Sequence, residues 1–402
     1  MYDILFLSRT IPDCVDETVR AKMQKTMDDA AIAWQNHILY GIDSITNNSV
    51  TMANYLPVKS WPKYYRDPFI KMFTFSHNGV STDVNLPFCN IQFAKRFFQK
   101  ISLIKYVKKW AITDTEKEKI IIAYSLYPEF VEAIATVKKV NPKIKSCSIV
   151  LDLPKYCILT EKISFYSKLY LMWSEKQAKR YIKSIDSFAL LTKHMAKALS
   201  VEKFTVIEGI ASDEFKIIKD YSILTPKVIF YAGTLHRRFG VLELLKAFSL
   251  LPDKDCELWL CGYGDAIKDI TASAVSDHRI KFLGQKKRSE VLELMSQASI
   301  IVNPRTSDES FAMYSFPSKN LEALSTGIPF IGNKLPGIPD EYDKYINYPS
   351  DSSPETMQRL FSAIFDDYNP FLQKALDAQK WVFKQKNSLV QAKKILELIE
   401  KE

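Results

Sequence analysis

Strand-length apolar runs alternate with helix-period stretches along this chain in two successive series, and that alternation restricts it to folds built on parallel sheets. In the first series, strands are expected over Asp3–Ser8, Ile70–Ser76, Lys119–Tyr124, Lys145–Leu151 and Ser187–Leu191, with helices over Thr26–Tyr40, Pro128–Val140 and Ile163–Ile182. Residues 213–226 are charged with little pattern and read as a linker. A second series follows: strand Lys227–Ala232, helix Val241–Leu251, strands Glu257–Cys261 and Arg279–Leu283, helix Ser289–Ala298, strand Ser299–Asn303, helix Ser318–Ser325 and strand Ile328–Ile331. Two late helices are expected over Pro370–Lys384 and Ser388–Lys401. Strands joined through helices give parallel sheets covered on both faces. The expected fold class is therefore α/β, with two Rossmann-like, doubly wound domains over residues 1–212 and 227–384.

At 402 residues the chain is long enough for two domains with separate cores. No run approaches ~18 uninterrupted apolar residues, so no membrane span is expected. The N-terminus, Met-Tyr-Asp-Ile-Leu-Phe-Leu-Ser-Arg, lacks the charged lead and long apolar stretch of a secretory signal and reads as a first strand. Six scattered Cys include no Cys-x-x-Cys pair, which fits buried free thiols in a reducing cytoplasm. Five isolated His offer no metal-ligand spacing, and no metal site is expected.

The formal net charge is +9, and its placement says more than its size. From Val84 to Ile112 there is no acidic residue, while Lys95, Arg96, Lys100, Lys105, Lys108 and Lys109 alternate with bulky apolar side chains. Such a helix suits an anionic membrane face or is an ordinary basic surface helix. A second aromatic and basic stretch, from Phe165 to Lys183, favours the membrane. No nucleic-acid module is visible, and nucleic acid is not an expected partner.

Glycine placement points to the domain that holds a ligand. The first Gly is Gly41, so the first strand-to-helix turn lacks a Gly-x-Gly-x-x-Gly dinucleotide loop. Eight of the 11 Gly lie from Gly233 onward, at expected strand ends, where doubly wound sheets bind ligands. The most informative segment is Tyr314-Ser-Phe-Pro-Ser-Lys-Asn-Leu-Glu322 with its continuation through Gly327 and Pro329 to Ile331. It reads as a loop opening a short helix. Ser318 is the expected N-cap and Lys319 lies in the first turn, a pairing suited to a phosphate. Glu322, one turn further on, is placed to accept hydrogen bonds from a ribose diol. A nucleotide is the ligand implied.

This segment resembles the nucleotide-sugar signature of family 4 retaining glycosyltransferases, which have the GT-B fold. The family pattern of Glu, seven residues, Glu, then small-Gly-x-Pro maps its second Glu onto Glu322 and its tail onto Ser325-Thr-Gly327-Ile-Pro329. Its first Glu falls on Tyr314, whose phenol either bonds the donor or merely packs. A Tyr-Ser-Phe-Pro-Ser-Lys form of the motif is similar to that of a bacterial capsular and exopolysaccharide subgroup. The resemblance also takes in Asn303-Pro304-Arg305 and Leu335-Pro-Gly337-Ile-Pro-Asp-Glu341-Tyr342. It covers about the last 200 residues strongly. It implies two domains facing a cleft, with residues 385–402 packing back on the first domain.

The family's two diphosphate-binding cations would align with Thr234 and Phe239, neither of them a cation. Arg305 and Lys319 are the expected substitutes, aided by Arg237 or Arg238, because departure of a nucleoside diphosphate needs fixed positive charge. Gly233, Gly262, Gly264, Ser315 and Ser318 are further candidate donor-binding residues. Asp152, in Val150-Leu-Asp-Leu-Pro154, either orients the acceptor hydroxyl or the donor sugar, or only opens a turn. The function implied is transfer from a nucleotide sugar, UDP-linked by expectation, to a polyprenyl-linked or oligosaccharide acceptor, by a cytoplasmic, peripheral-membrane enzyme without metal or other cofactor. Two alternatives stand beside it: a GT-B nucleotide-sugar epimerase and a non-catalytic nucleotide-sugar-binding partner.

Overall fold

Ile120, Ile121 and Ile122 are consecutive and all buried, so the strand that carries them is covered on both faces. The same holds for Ile4 to Leu7 in the first strand. The computed structural model describes residues 2–24, 29–92, 94–113, 116–153, 165–217, 226–306 and 311–401. It divides into two units: Met1–Ile210 with Ser388–Glu402, and Ala211–Asn387.

The first unit contains strands β1 (Tyr2–Ser8), β2 (Val50–Asn54), β3 (Phe69–Ile70), β4 (Phe73–Phe75), β5 (Asp83–Asn85), β6 (Phe88–Cys89), β7 (Glu118–Tyr124), β8 (Lys145–Val150), β9 (Ser187–Leu190) and β10 (Phe204–Val206). Its helices are α1 (Asp16–Ala21), α2 (Asp29–Thr46), α3 (Lys95–Ile112), α4 (Pro128–Val140), α5 (Phe165–Tyr181) and α6 (Lys193–Leu199). The main sheet runs β10-β9-β8-β7-β1-β2-β5-β4 and is parallel except for the β4–β5 pair.

The second unit contains β11 (Lys227–Thr234), α7 (Val241–Ser249), β12 (Cys256–Tyr263), α8 (Ile267–Ser276), β13 (Ile280–Gly284), α9 (Arg288–Gln297), β14 (Ile300–Asn303), α10 (Ser318–Leu324), β15 (Phe330–Gly332), α11 (Pro354–Asp366) and α12 (Tyr368–Gln385). Its sheet order is β13-β12-β11-β14-β15, all parallel. The order reverses between β11 and β14, and in doubly wound sheets a ligand crevice opens beyond the carboxyl ends of the strands at such a point. The α7 face is buried through Val241, Leu244, Leu245 and Phe248, against Phe361 and Ile364 of α11.

The last helix, α13 (Ser388–Glu400), belongs to the first unit and packs on α2. Ile395 and Ile399 join Ile38, Ile42, Ile4 and Phe6 in one core. Gly41 makes this approach possible, because a Cβ there would lie 2.2 Å from the Ser388 carbonyl oxygen.

Several expectations need correction. Ile70–Ser76 is two short strands, β3 and β4, separated at Lys71 and Met72. The helix expected over Thr26–Tyr40 continues to Thr46, because residues 41–46 keep the apolar period with Ile42 inside; residues 26–28 lie outside the described set. The start of the helix expected over Ile163–Ile182 also lies outside it. β2, α8 and α11 were not expected at all. Of the stretch read as a linker, residues 218–225 are not described. Phe215 is buried in the second unit, and Glu214 pairs with Arg288 there. Among the described cysteines, Cys89, Cys147, Cys256 and Cys261 are buried and free, but Cys14 is exposed.

Candidate nucleotide-binding site

The carboxyl ends of β11, β12 and β14 and the start of α10 enclose a cavity of about 530 Å3 within the second unit. Gly233 and Thr234 come from β11, Gly262 and Tyr263 from β12, and Asn303 from β14. Small backbone-only positions are needed here. Gly262 has φ +141°, and a Cβ on it would lie 1.8 Å from the Gly233 carbonyl oxygen. Gly240 has φ +78° and lies equally tight against the Pro304 carbonyl, 2.1 Å from a built Cβ. Side chains at either would push strand ends apart.

Three cations line the cavity: Lys286, Arg305 and Lys319. Among the described residues no carboxylate does. Arg305 places its guanidinium 5.3 Å from the ring centroids of both Phe239 and Phe311 and reaches the Ser315 hydroxyl at 3.5 Å. Its backbone is fixed from below. The buried Asn333 amide donates to the carbonyls of Pro304 and Arg305 at 2.9 and 3.2 Å. Asn303 donates to Asn320 at 2.7 Å, tying the end of β14 to α10. Buried amides so satisfied hold a loop in one conformation.

Lys319 reaches Glu322 at 2.7 Å. The Glu322 side chain is 18% exposed and lies outside the cavity lining, one helical turn from the residue that does line it. Tyr231 also lines the cavity, and burial pushes its phenol up to about 12, against the opposing pull of Arg305. It therefore stays neutral and donates to the Thr234 carbonyl at 3.1 Å.

The sequence candidates divide. Gly233, Thr234, Gly262, Arg305, Ser315, Ser318 and Lys319 are brought together around the cavity. Ser318 is not the N-cap: Pro317 occupies that position in extended conformation, and Ser318 is the first helical residue, presenting its exposed hydroxyl to the cavity. Arg237 is directed away, bonded by two guanidinium nitrogens to Asp269 of α8 at 3.0 Å. Arg238 is exposed and, like Gly264 and Tyr314, outside the lining. Gly264 serves the backbone, since a Cβ would lie 2.0 Å from the Leu235 carbonyl. Asp152 is exposed in the bend after β8 of the first unit. Sequence reasoning missed Lys286, Asn320 and Asn333. The signal for Lys286 was the strand expected over Arg279–Leu283, which ends at Gly284 just before it. Among the described residues no group of His, Cys, Asp or Glu could hold a metal ion.

Residues 226–366 match the family described as Glycosyl transferases group 1, over the unit that holds this cavity. No curated protein sequence matches the chain. Among solved structures, sucrose-phosphate synthase from Thermosynechococcus elongatus superposes with a TM-score of 0.63 at 14% identity, covering 98% of each chain. HepE from Anabaena in complex with UDP gives 0.59 at 15% identity, again over 98% of each. The lipopolysaccharide outer core galactosyltransferase WaaB gives 0.60 at 13% identity over 99% of each. The chain thus has the GT-B fold along its whole length, and the group 1 glycosyltransferase model matches part of its second unit.

Proposed function

We propose that the protein is a retaining glycosyltransferase that moves a sugar from a UDP-linked donor to a polyprenyl-linked or oligosaccharide acceptor in surface-polysaccharide assembly. The observation that carries this reading is the cavity's charge: Lys286, Arg305 and Lys319, with no carboxylate among the described lining residues. Its position outside the strand ends at the β11–β14 reversal supports a nucleotide, and HepE, of the same fold, binds UDP.

In the reaction, the bond from the anomeric carbon to the phosphate oxygen breaks and a bond from the acceptor hydroxyl to that carbon forms on the same face. The acceptor proton passes to the leaving phosphate. Arg305, Lys286 and Lys319 hold the negative charge as it grows on the diphosphate, where fixed cations lower the barrier most. Glu322 takes the ribose hydroxyls, with Lys319 exchanging part of its ion pair for the phosphate. Asp152 is assigned to the acceptor side. No residue here requires a metal for this role.

The acceptor's membrane setting draws on the surface of the first unit. Phe97, Ile101, Lys105, Lys108 and Ile112 are exposed along one stripe of α3, and Leu169, Met172, Trp173 and Lys176 along α5. Both helices flank α4. Mixed apolar and basic stripes of this kind suit the headgroup region of an anionic bilayer. Among the described residues no helix is long and apolar enough to cross it.

A second reading, a non-catalytic nucleotide-sugar binder, is favoured by Thr234 and Phe239. Both line the cavity at the positions where the resemblance places cations. One experiment separates the readings. UDP binding is measured by calorimetry, and sugar release from UDP-glucose, UDP-galactose and their N-acetyl forms by mass spectrometry, for wild type and Arg305→Ala. Binding and turnover that both fall in the variant support the transferase. Binding without any turnover, given lipid-linked saccharide extracts as acceptor, leaves the binder. Absence of UDP binding removes both.

A further inference from the structure

The segment Leu335-Pro-Gly337-Ile-Pro-Asp-Glu341-Tyr342 lines no part of the cavity, yet it packs against the loop that does. Gly337 makes the first contact: a Cβ there would lie 2.1 Å from the Ser315 carbonyl oxygen and 2.8 Å from that of Ala312. Tyr342, at the end of the segment, is fully buried, and its ring centroid lies 5.3 Å from that of Phe316. Phe316 itself lines the cavity, between Ser315 and the start of α10. One buried phenol ring therefore supports the ring on which the loop before Ser318 and Lys319 rests.

Tyr342 is held in turn by α12. Trp381 meets it edge-on, with centroids 4.9 Å apart and an interplanar angle of 87°, and Tyr345 stacks on the same indole at 4.7 Å. Both are favoured aromatic geometries. Lys386, just past α12, has its ammonium 5.2 and 5.1 Å from the Tyr342 and Trp381 centroids and 2.6 Å from a Glu341 carboxylate oxygen. At the far end of α10, the Gln379 amide of α12 donates to the Ser325 carbonyl at 3.0 Å. The helix that carries Lys319 is thus tied to α12 at both ends.

Stability alone does not account for Lys386. Its side chain is 1% exposed, while that of Glu341 is 48% exposed. Burial strips the ammonium of its water, and a half-exposed carboxylate offsets that loss only in part. A well-packed apolar side chain in such a place is commonly as stable or more so. The ammonium instead favours the one arrangement in which Tyr342, Trp381 and Glu341 all surround it.

We propose that Tyr342, fixed by Trp381 and Lys386, is a positioning residue of the donor site. It seats Phe316 and so sets Ser315, Ser318 and Lys319 where the diphosphate needs them. This deepens the nucleotide-sugar reading and rests on it. A misplaced cation matters to UDP, which carries the charge, far more than to uridine, which carries none. The ratio of the two affinities therefore reports the loop, and any shared loss of nucleoside contacts cancels in it.

The test is saturation-transfer NMR with UDP and with uridine, alongside thermal melts, on the full-length protein. In Tyr342→Leu the ratio of UDP to uridine affinity is expected to fall about tenfold, the loss of one charge-assisted contact to phosphate. Tyr342→Phe, which keeps the ring, should restore it. Lys386→Met is the second variant, and it alone decides if Tyr342→Leu does not fold. It leaves behind only a half-exposed carboxylate, so the melting temperature should not fall by more than about 2 °C, while the ratio drops about threefold or more. An unchanged ratio in Lys386→Met and in any folded Tyr342→Leu, or equal losses of UDP and uridine, overturns the proposal. A wild type that binds UDP no better than uridine, or binds neither, instead strikes the nucleotide-sugar reading.

Discussion

In the proposed reading the donor site turns on Arg305, a cation in a cavity whose lining has Thr234 and Phe239 where the resemblance places cations. The Phe239 and Phe311 rings both lie against the Arg305 guanidinium, and Asn333 bonds its backbone carbonyl. Arg305→Ala removes a charge-assisted contact worth about 1.5–3 kcal/mol, so UDP affinity should drop roughly tenfold to a hundredfold by calorimetry. Asn333→Leu would act indirectly, loosening the same loop. His77 gives a second prediction. Burial alone would lower its pKa, but hydrogen bonds and charge from Asp43 and Asp83 outweigh that and raise it to about 9. Burial, and after it the charges of Asp83 and Asp3, pushes the nearby Tyr106 phenol up, so that group stays neutral. Because the folded pKa lies above the unfolded value near 6.5, the stabilisation is complete below about pH 6.5 and is lost as pH rises through about 9. The loss amounts to at most about 3 kcal/mol. Thermal melts of the first unit should therefore decline between pH 7 and 9.5, and His77→Gln should flatten that slope. Residue-level reading of the sequence reached Arg305 and Lys319 because strand-end and helix-start positions are visible in a motif. It overvalued Arg237, since Asp269, 32 positions on in a helix the sequence did not reveal, takes that guanidinium.

At the scale of elements, α3 combines two jobs that its sequence pattern blends together. Leu103, Val107 and Trp110 face inward, and the Trp110 indole donates to Asp3 at 3.0 Å. Phe97, Ile101 and Ile112 remain exposed beside Lys105, Lys108 and Lys109. Its apolar residues thus spread around more than half the helix, which is more than a core-facing stripe needs. Phe97→Asp with Ile101→Asp should leave the melting temperature within about 2 °C, since exposed sites contribute little to stability. The pair should also cut sedimentation with phosphatidylglycerol vesicles several-fold, while phosphatidylcholine vesicles capture neither form. Retention of vesicle binding by the double variant would make α3 an ordinary basic surface. Elements with a strong period, such as α4 and α9, were legible to within a residue. β2 escaped because Val50-Thr-Met-Ala-Asn54 is short and ends in a polar side chain, and Asn54 is tolerated inside because Ser8, Thr10 and Asn85 bond it. Those partners are distant in sequence, so no local pattern announces them.

For the whole molecule, the instructive feature is that the two units divide the chain unequally in sequence. The first unit is closed by its last helix: Ala392, Ile395 and Ile399 of α13 join a core made from β1, β2, β7, β8, β9 and α2. The order β13-β12-β11-β14-β15 of the second unit followed in outline from strands alternating with helices, but which strands adjoin is settled by tertiary pairing and could not be read locally. Tandem parallel sheets were legible because buried strands need continuous apolar runs. The closing role of α13 was available only through the resemblance, because an amphipathic helix does not state which face of which domain it covers. This arrangement separates the stability of the two units experimentally. Ile395→Asp places an unpaired charge at a fully buried position, costing on the order of 3–5 kcal/mol or more. Calorimetry of that variant should show the first unit melting early or already unfolded. The second unit, which has its own core and its own cavity, should still be stabilised by UDP, by about 2.7 kcal/mol at a ligand concentration a hundred times its Kd. On the proposed reading sugar transfer should be abolished, because the first unit would carry the acceptor side while donor binding persists. If UDP stabilisation disappeared together with the first unit, the nucleotide site would depend on both units, and its assignment to the second alone would be wrong.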